Sequence, residues 1–267
     1  MPIVNARMYS VTAECKADWQ RVLAWALARA DLDWPIVDFD APAPLSQLWS
    51  RDDLGAAMMC GLPFALREPR PTLIAAPLPS APRYGGRPVY CTDVVVAAAS
   101  SHRTIADTFG GIVGYTLADS MSGAVALRDL LMPMRRERGA RLYRGAVGGL
   151  INARGVIDAI ASGRIDVGPL DSYSHDLLRH YDPAFAVQVR TIASTAMRPI
   201  PPLVATAPVT PEQVTRLRDA LLGTRRASEL AATMARLQLA GFALPDAADY
   251  DALPAIARAC AIAFEDL

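Results

Sequence analysis

A short polar segment after a predicted strand is the part of the sequence best suited to bind a ligand. The run 110–117 is rich in glycine and apolar residues, and Asp119-Ser120-Met121-Ser122-Gly123 then opens a predicted helix. Unpaired N–H groups and the helix dipole favour an anion at such a start, and serine hydroxyls add donors. The pattern predicts an oxyanion site formed by Ser120, Met121, Ser122 and Gly123. The alternative is an ordinary capped helix without a ligand.

Two further strand-to-helix junctions have a similar pattern. The segment 147–154 is a glycine-rich strand end that runs into a predicted helix containing Asn152, and Asp171 follows a buried strand and starts the next helix. Because doubly wound sheets present ligand sites at the carboxyl ends of their strands, both side chains are candidates for the same site. Each also suits a helix N-cap, so both roles stay open.

The first part of the chain offers aromatic and small residues that could line a ligand cleft. They stand at the end of the first predicted strand, after the third strand, and on a long extended run: Tyr9, Cys60, Gly61, Phe64, Tyr90 and Thr92. Phe64 and Tyr90 are more typical of packing residues, since large aromatic side chains are usually buried. The sequence predicts a ligand role for the whole set, with packing as the alternative.

Motifs for catalysis, metals and cofactors are missing from the sequence. It has no GxSxG, HExxH, CxxC or Walker pattern, and no GxGxxG follows the first strand. His175 and His180 are five residues apart on one predicted helix and do not share a face. The sequence therefore predicts no catalytic residue, no metal and no cofactor.

The elements that position these residues alternate between strand-like and helix-like patterns. This alternation predicts an α/β protein with two Rossmann-like lobes and mainly parallel sheets. Two long extended runs, residues 87–98 and 186–203, are predicted to be hinges between lobes. The predicted lobes are 1–90 with 199–267, and 91–198, with a ligand cleft between them.

Composition excludes several classes of partner. The chain has 267 residues, 52% of them hydrophobic, and 27 basic residues balance 27 acidic ones. This balance does not favour nucleic acid or an anionic membrane surface, and no apolar run is long enough to span a bilayer. The segment 1–9 is predicted as a strand and lacks a signal-peptide pattern, so the chain as it stands is expected to be cytoplasmic. A monomer is expected.

The residues 110–123, followed by 152–171 with Gly163-Arg164-Ile165-Asp166-Val167-Gly168, resemble the phosphate/phosphite/phosphonate-type substrate-binding proteins of ABC transporters. The resemblance extends over about residues 3–222. It implies a type 2 periplasmic-binding-protein fold that closes around its ligand, an ABC permease as partner and a periplasmic location.

The resemblance also implies roles for particular residues. Ser120, Ser122 and Gly123 would hold the oxyanion, Asp171 would contact the other end of the ligand, and Tyr9 would be the first-strand aromatic. The family usually has a Ser-His pair before the second-lobe helix. This chain has Leu150-Ile151-Asn152 there, so Asn152 would weaken or replace that anion contact.

The predicted function is the binding of a small oxyanion, phosphate, phosphite or phosphonate, as the substrate-binding component of an ABC uptake system. Two alternatives belong to other functional classes. One is a cytosolic enzyme of the same fold that acts on an intermediate of a menaquinone-like or pyrimidine-like pathway. The other is a soluble ligand sensor.

Overall fold

The computed structural model describes residues Met1–Leu267, which form two compact units. Unit 1 comprises Met1–Val89 and Pro199–Tyr250, and unit 2 comprises Tyr90–Arg198 and Asp251–Leu267. The boundaries fall within two short strands, β4 (Val89–Tyr90) and β10 (Arg198–Pro199), which pair as a two-stranded sheet. The sequence-based division assigned 199–267 to the first lobe, whereas Asp251–Leu267 packs in unit 2.

Unit 1 contains a five-stranded sheet in the order β1-β2-β11-β3-β12. Its strands are β1 (Ile3–Val4), β2 (Leu54–Met58), β3 (Thr72–Pro79), β11 (Leu203–Ala205) and β12 (Leu239–Ala243). The first two strands are parallel, while β11 runs antiparallel to both β2 and β3, and β12 runs antiparallel to β3. The chain that returns from unit 2 therefore enters the middle of this sheet.

Unit 1 contains five α-helices, two of which begin at side-chain caps that the sequence makes recognisable. They are α1 (Ala13–Arg29), α2 (Leu45–Trp49), α3 (Gly61–Leu66), α8 (Pro211–Gly223) and α9 (Ala231–Arg236). The Thr12 side chain accepts the N–H of Cys15 at the start of α1, and Thr210 and Gln213 form a reciprocal capping box at the start of α8. Such caps satisfy N–H groups that the helix itself leaves unpaired.

Unit 2 contains a second set of strands, three of which run parallel. Its strands are β5 (Thr92–Ala97), β6 (Ile112–Gly114), β7 (Gly145–Val147), β8 (Gly168–Asp171) and β9 (Val189–Ser194). β6 pairs in parallel with β7, and Val113 forms a parallel bridge with Val167 just before β8. β5 runs antiparallel to β8 and β9. The carboxyl ends of β7, β6 and β8 therefore lie side by side at one edge.

The helices of unit 2 surround a continuous apolar core. They are α4 (Ala126–Arg138), α5 (Ala153–Ala161), α6 (Ser172–Tyr181), α7 (Pro183–Ala186) and α10 (Leu253–Ala259). Val94, Leu127 and Leu131 are fully buried in this core, together with Phe264 and Leu267 from the end of the chain. Phe264 also stacks on Tyr115 with ring centroids 4.2 Å apart. These buried side chains explain why the C-terminal segment packs in unit 2.

The predicted α/β class is confirmed, with differences in strand direction and extent. The sheets are mixed rather than mainly parallel because β5 and β11, which carry the chain into and out of unit 2, pair in antiparallel fashion. The extended run 87–98 is interrupted at Cys91, between β4 and β5. Strand β12 begins just after Gln238, whose left-handed conformation, φ 51°, ends the helical segment that precedes it. None of the helices has the length and apolar character that a membrane span requires.

Candidate functional site

Three helices begin at the edge of unit 2 where β6, β7 and β8 end, and each has a polar N-cap. The Ser120 hydroxyl oxygen accepts the N–H of Gly123 at 3.1 Å. Asn152 Oδ1 accepts the N–H of Gly155 at 3.1 Å. Asp171 Oδ1 accepts two N–H groups of the first turn of α6, each at 3.0 Å. The structure thus brings Ser120, Asn152 and Asp171 to one edge, and all three act as caps.

The turn that follows Ser120 is wider than an α-helical turn. Residues Met121–Val125 form a π-type turn in which the Val125 N–H bonds to the Ser120 carbonyl at 3.0 Å, and α4 continues from it. π-type turns are rare and are often found at functional sites. The turn packs closely on the end of β6: a Cβ added to Gly123 would lie 1.7 Å from Thr116 Oγ1. Glycine is therefore required at 123 by the close approach of Thr116.

The start of this helix retains hydrogen-bond donors that the cap does not use. Ser120 caps the N–H of Gly123. The N–H groups of Met121 and Ser122 belong to the first turn, where the helix itself provides no carbonyl acceptor. Ser122 is half-buried, and its hydroxyl donates to Asp171 Oδ2 over a long distance of 3.4 Å. Met121 itself is only 1% exposed, so its side chain belongs to the core.

Thr92 supports the same turn from the neighbouring strand. Its side chain is 1% exposed, and Thr92 Oγ1 donates to the Ser122 carbonyl at 2.9 Å. The Thr92 N–H in turn donates to Thr195 Oγ1 at 3.0 Å. In this structure Thr92, predicted to bind ligand, holds the backbone of the serine turn and is covered by protein.

The aromatic candidates lie within the cores of their own units. Tyr9 is 1% exposed and stacks on Trp19 with ring centroids 6.4 Å apart. Phe64 is fully buried and packs edge-to-face with Tyr250, with ring centroids 5.0 Å apart. Burial raises the pKa of Tyr250, whose hydroxyl donates to a backbone carbonyl, so this phenol is neutral and structural. Tyr90, in unit 2, is likewise 1% exposed.

The two remaining candidates of unit 1 belong to the start of α3. Gly61 is buried as the first residue of this helix, and Cys60 is partly buried just before it. The Cys60 carbonyl accepts the N–H of Phe64 at 3.0 Å, which closes the first turn. Both residues therefore have an evident role in forming the helix.

The sequence analysis missed a buried polar network beneath α6. His175 Nδ1 lies 2.9 Å from Asp93 Oδ2, both side chains are 0% exposed, and Ser194 Oγ donates to Asp93 Oδ1 at 2.8 Å. His175 Nε2 is buried without a hydrogen-bond partner. The network joins β5, β9 and α6, one helical turn after Asp171. An aspartate next to the apolar run Val94-Val95-Val96 is the signal that could have revealed it, since buried carboxylates need partners.

Comparison with protein families gives one match. The model described as "ABC transporter, phosphonate, periplasmic substrate-binding protein" matches residues 52–250, about three quarters of the chain. The sequence has no significant match among curated proteins.

Solved structures share the fold at low sequence identity. A binding protein component of an ABC phosphonate transporter from Pseudomonas aeruginosa aligns with a TM-score of 0.79 and 18% identity, covering 97% of this chain and 87% of its own. A protein from Prochlorococcus marinus in complex with methylphosphonate aligns with a TM-score of 0.77 and 12% identity, covering 96% of this chain and 97% of its own. A Xanthomonas citri protein bound to ATP aligns with a TM-score of 0.64 and 20% identity, covering 97% of this chain and 96% of its own. The type 2 periplasmic-binding-protein fold is thereby confirmed.

Proposed function

Because the chain belongs to the phosphonate family of periplasmic substrate-binding proteins of ABC transporters, we propose that it binds a small phosphorus oxyanion at the Ser120–Gly123 turn. Members of this family are substrate-binding components that work with a permease, so the chain is a binding protein and not an enzyme. The oxyanion is a phosphonate, phosphite or phosphate. That the chain works as a monomer stays a prediction, which light scattering after size-exclusion chromatography would check.

The donor arrangement of the turn is the observation that carries this proposal. The N–H groups of Met121 and Ser122 and the hydroxyls of Ser120 and Ser122 belong to three consecutive residues at the start of a helix. Such a cluster suits the tetrahedral oxygens of a phosphoryl group because each donor can meet an oxygen while the helix dipole favours the negative charge. Neutral donors also leave discrimination to hydrogen-bond number and shape.

Asp171 gives the proposed site a negative flank. Its Oδ1 caps α6, while Oδ2 faces the Ser122 hydroxyl at 3.4 Å. A fully ionised phosphoryl group would meet repulsion from this carboxylate, whereas a protonated oxygen or a cationic group could donate to it. We therefore propose that Asp171 contacts the protonated or cationic end of the ligand.

Titration calorimetry with methylphosphonate, phosphite, phosphate, sulfate and acetate tests the proposal. We expect binding of at least one phosphorus oxyanion and weaker binding of acetate. Ser122→Ala is expected to weaken that binding by about 1–3 kcal/mol, because a hydroxyl donor to the anion is lost while the Ser120 cap is kept.

Ser162→Ala is the matched control, since the Ser162 hydroxyl donates to the Asp158 carbonyl at the end of α5 and has no part in the turn. Equal affinity of Ser122→Ala and the wild type for every anion would remove Ser122 from the site. Absence of binding to all three phosphorus oxyanions would overturn the proposed function.

A further inference from the structure

A strained turn lies next to the proposed site, at Ile151. The Ile151 φ is 64°, and the Asn152 N–H bonds to the Leu150 carbonyl at 2.7 Å, closing a three-residue turn around Ile151. A three-residue turn with positive φ is the rare, strained form of the γ-turn. For a β-branched residue this conformation is an outlier, because Cβ approaches the backbone.

The surroundings of Ile151 enforce the turn. Asn152 caps α5 through the Gly155 N–H, and a Cβ on Gly155 would lie 2.0 Å from the Leu150 carbonyl oxygen. The loop and the helix are thus in close contact on both sides of Ile151. Gly149, two residues earlier, also has positive φ, 71°, and there the chain has the residue that adopts this conformation without strain.

The side chain of Ile151 adds a second cost. It is 42% exposed, and Leu117, in the loop after β6, is 39% exposed. Leaving aliphatic surface in water forgoes the stabilisation that burial would give. Ile151 therefore has an unfavourable backbone conformation and leaves part of its aliphatic side chain in water. A contact made in the ligand-bound state would account for both costs, since strained residues concentrate at ligand sites.

Backbone hydrogen bonds place both aliphatic residues beside the Ser120–Gly123 turn, the proposed oxyanion site. The Thr116 N–H donates to the Gly123 carbonyl at 3.0 Å, and the Gly149 N–H donates to the Thr116 carbonyl at 2.9 Å. Leu117 directly follows Thr116, and Ile151 is two residues from Gly149, within about 7 Å of it along the chain.

The strand order gives the turn two different flanks. β6 lies between β7, which leads to Ile151, and the segment of Val167 that continues into β8 and Asp171. The Ser120–Gly123 turn therefore has Asp171 on one side and the segment of the partly exposed Ile151 on the other. A ligand that has a polar end and an apolar end would match this asymmetry.

We propose that Ile151 and Leu117 form an apolar wall of the site, and that the ligand is a phosphonate whose carbon substituent is an aliphatic group. This inference rests on the proposed function. The phosphoryl group binds the turn, and the substituent covers the exposed aliphatic surface. Inorganic phosphate has no substituent, so it gains nothing from this wall.

Calorimetry with inorganic phosphate, methylphosphonate and propylphosphonate tests the wall. For the wild type we expect affinity to rise in that order, by about fourfold for each methylene that becomes buried. For Ile151→Gly we expect the affinity for propylphosphonate to fall about fivefold or more, while that for phosphate stays unchanged. The melting temperature of Ile151→Gly should be equal to or above that of the wild type, since glycine relieves the left-handed strain.

Asp31→Gly is the matched control, because Asp31 also has positive φ, 53°, and lies in unit 1 at the end of α1. It should retain wild-type affinity for all three probes. A lower melting temperature of Ile151→Gly, or an equal loss of affinity for phosphate and propylphosphonate, would overturn the inference. Equal wild-type affinity for phosphate and both phosphonates would overturn it while the proposed function stands. A wild type that binds none of the probes would overturn both.

Discussion

The candidate residues of unit 1 and unit 2 behave differently in the structure. In unit 1, Tyr9 and Phe64 are buried among other aromatic side chains, and their contacts are those of an apolar core. In unit 2, Ser120, Ser122 and Asp171 form a connected polar edge in which each side chain bonds to a helix start or to its neighbour. The polar candidates therefore support the binding proposal, whereas the buried aromatic candidates are explained by packing.

The difference shows which residue types have local signals of their position. An aromatic ring is satisfied wherever it is buried, so its sequence position does not distinguish a core from a ligand wall. A serine or aspartate that follows a strand and precedes a helix has a defined local task, the capping of the next N–H groups. That task fixes its direction, and the remaining donors of the same turn then point to where an anion would bind.

The largest expected effect concerns the packing of unit 1. Phe64→Ala should lower the free energy of unfolding by about 3–5 kcal/mol, because it leaves a cavity against Tyr250. Urea denaturation measures this, and the folded fraction should keep wild-type affinity for methylphosphonate. Leu66→Ala in the same helix is the control, since Leu66 is 56% exposed and the change should cost little. A Phe64→Ala variant with unchanged stability and lost affinity would show that Phe64 contacts the ligand.

An intermediate effect is expected at the turn of unit 2. Gly123→Ala places a Cβ against Thr116 Oγ1, so it should cost about 1–3 kcal/mol of stability by overpacking. It should also weaken methylphosphonate binding about tenfold, because the N–H groups of the turn are displaced. Thermal denaturation and calorimetry measure the two effects.

Two variants serve as controls for that change. Gly223→Ala, in α8 of unit 1, has no atom within 4 Å of the added Cβ and should leave affinity unchanged. Adding Thr116→Ala to Gly123→Ala should restore part of the affinity, because it removes the oxygen that the Cβ meets. If Gly123→Ala binds as tightly as the wild type, the geometry of this turn does not matter for binding.

The smallest expected effect compares one helix cap from each unit. Asn152→Ala and Thr12→Ala should each lower the free energy of unfolding by about 1 kcal/mol, because each removes an N-cap acceptor. Neither should change the affinity for methylphosphonate, since in the structure Asn152 Oδ1 bonds to the Gly155 N–H. A loss of affinity confined to Asn152→Ala would show that this side chain binds the anion, as the family resemblance implies.

The sequence by itself determined the local helix starts of unit 2. Ser120, Asn152 and Asp171 cap the helices for which they were considered as caps. These features could be predicted because a cap is completed by a hydrogen bond to an N–H only two or three residues away. The α/β class followed from the same alternation of local patterns.

Only the tertiary structure decided which distant residues meet. The Asp93–His175 contact joins residues 82 apart, and Thr92 reaches the Ser122 carbonyl 30 residues away. The placement of Phe264 and Leu267 in unit 2, and the left-handed turn at Ile151, likewise depend on neighbours remote in sequence or on the close fit of a loop to a helix. Local patterns fix the direction of a side chain, but strand order and packing decide what it contacts, because these depend on the whole chain at once.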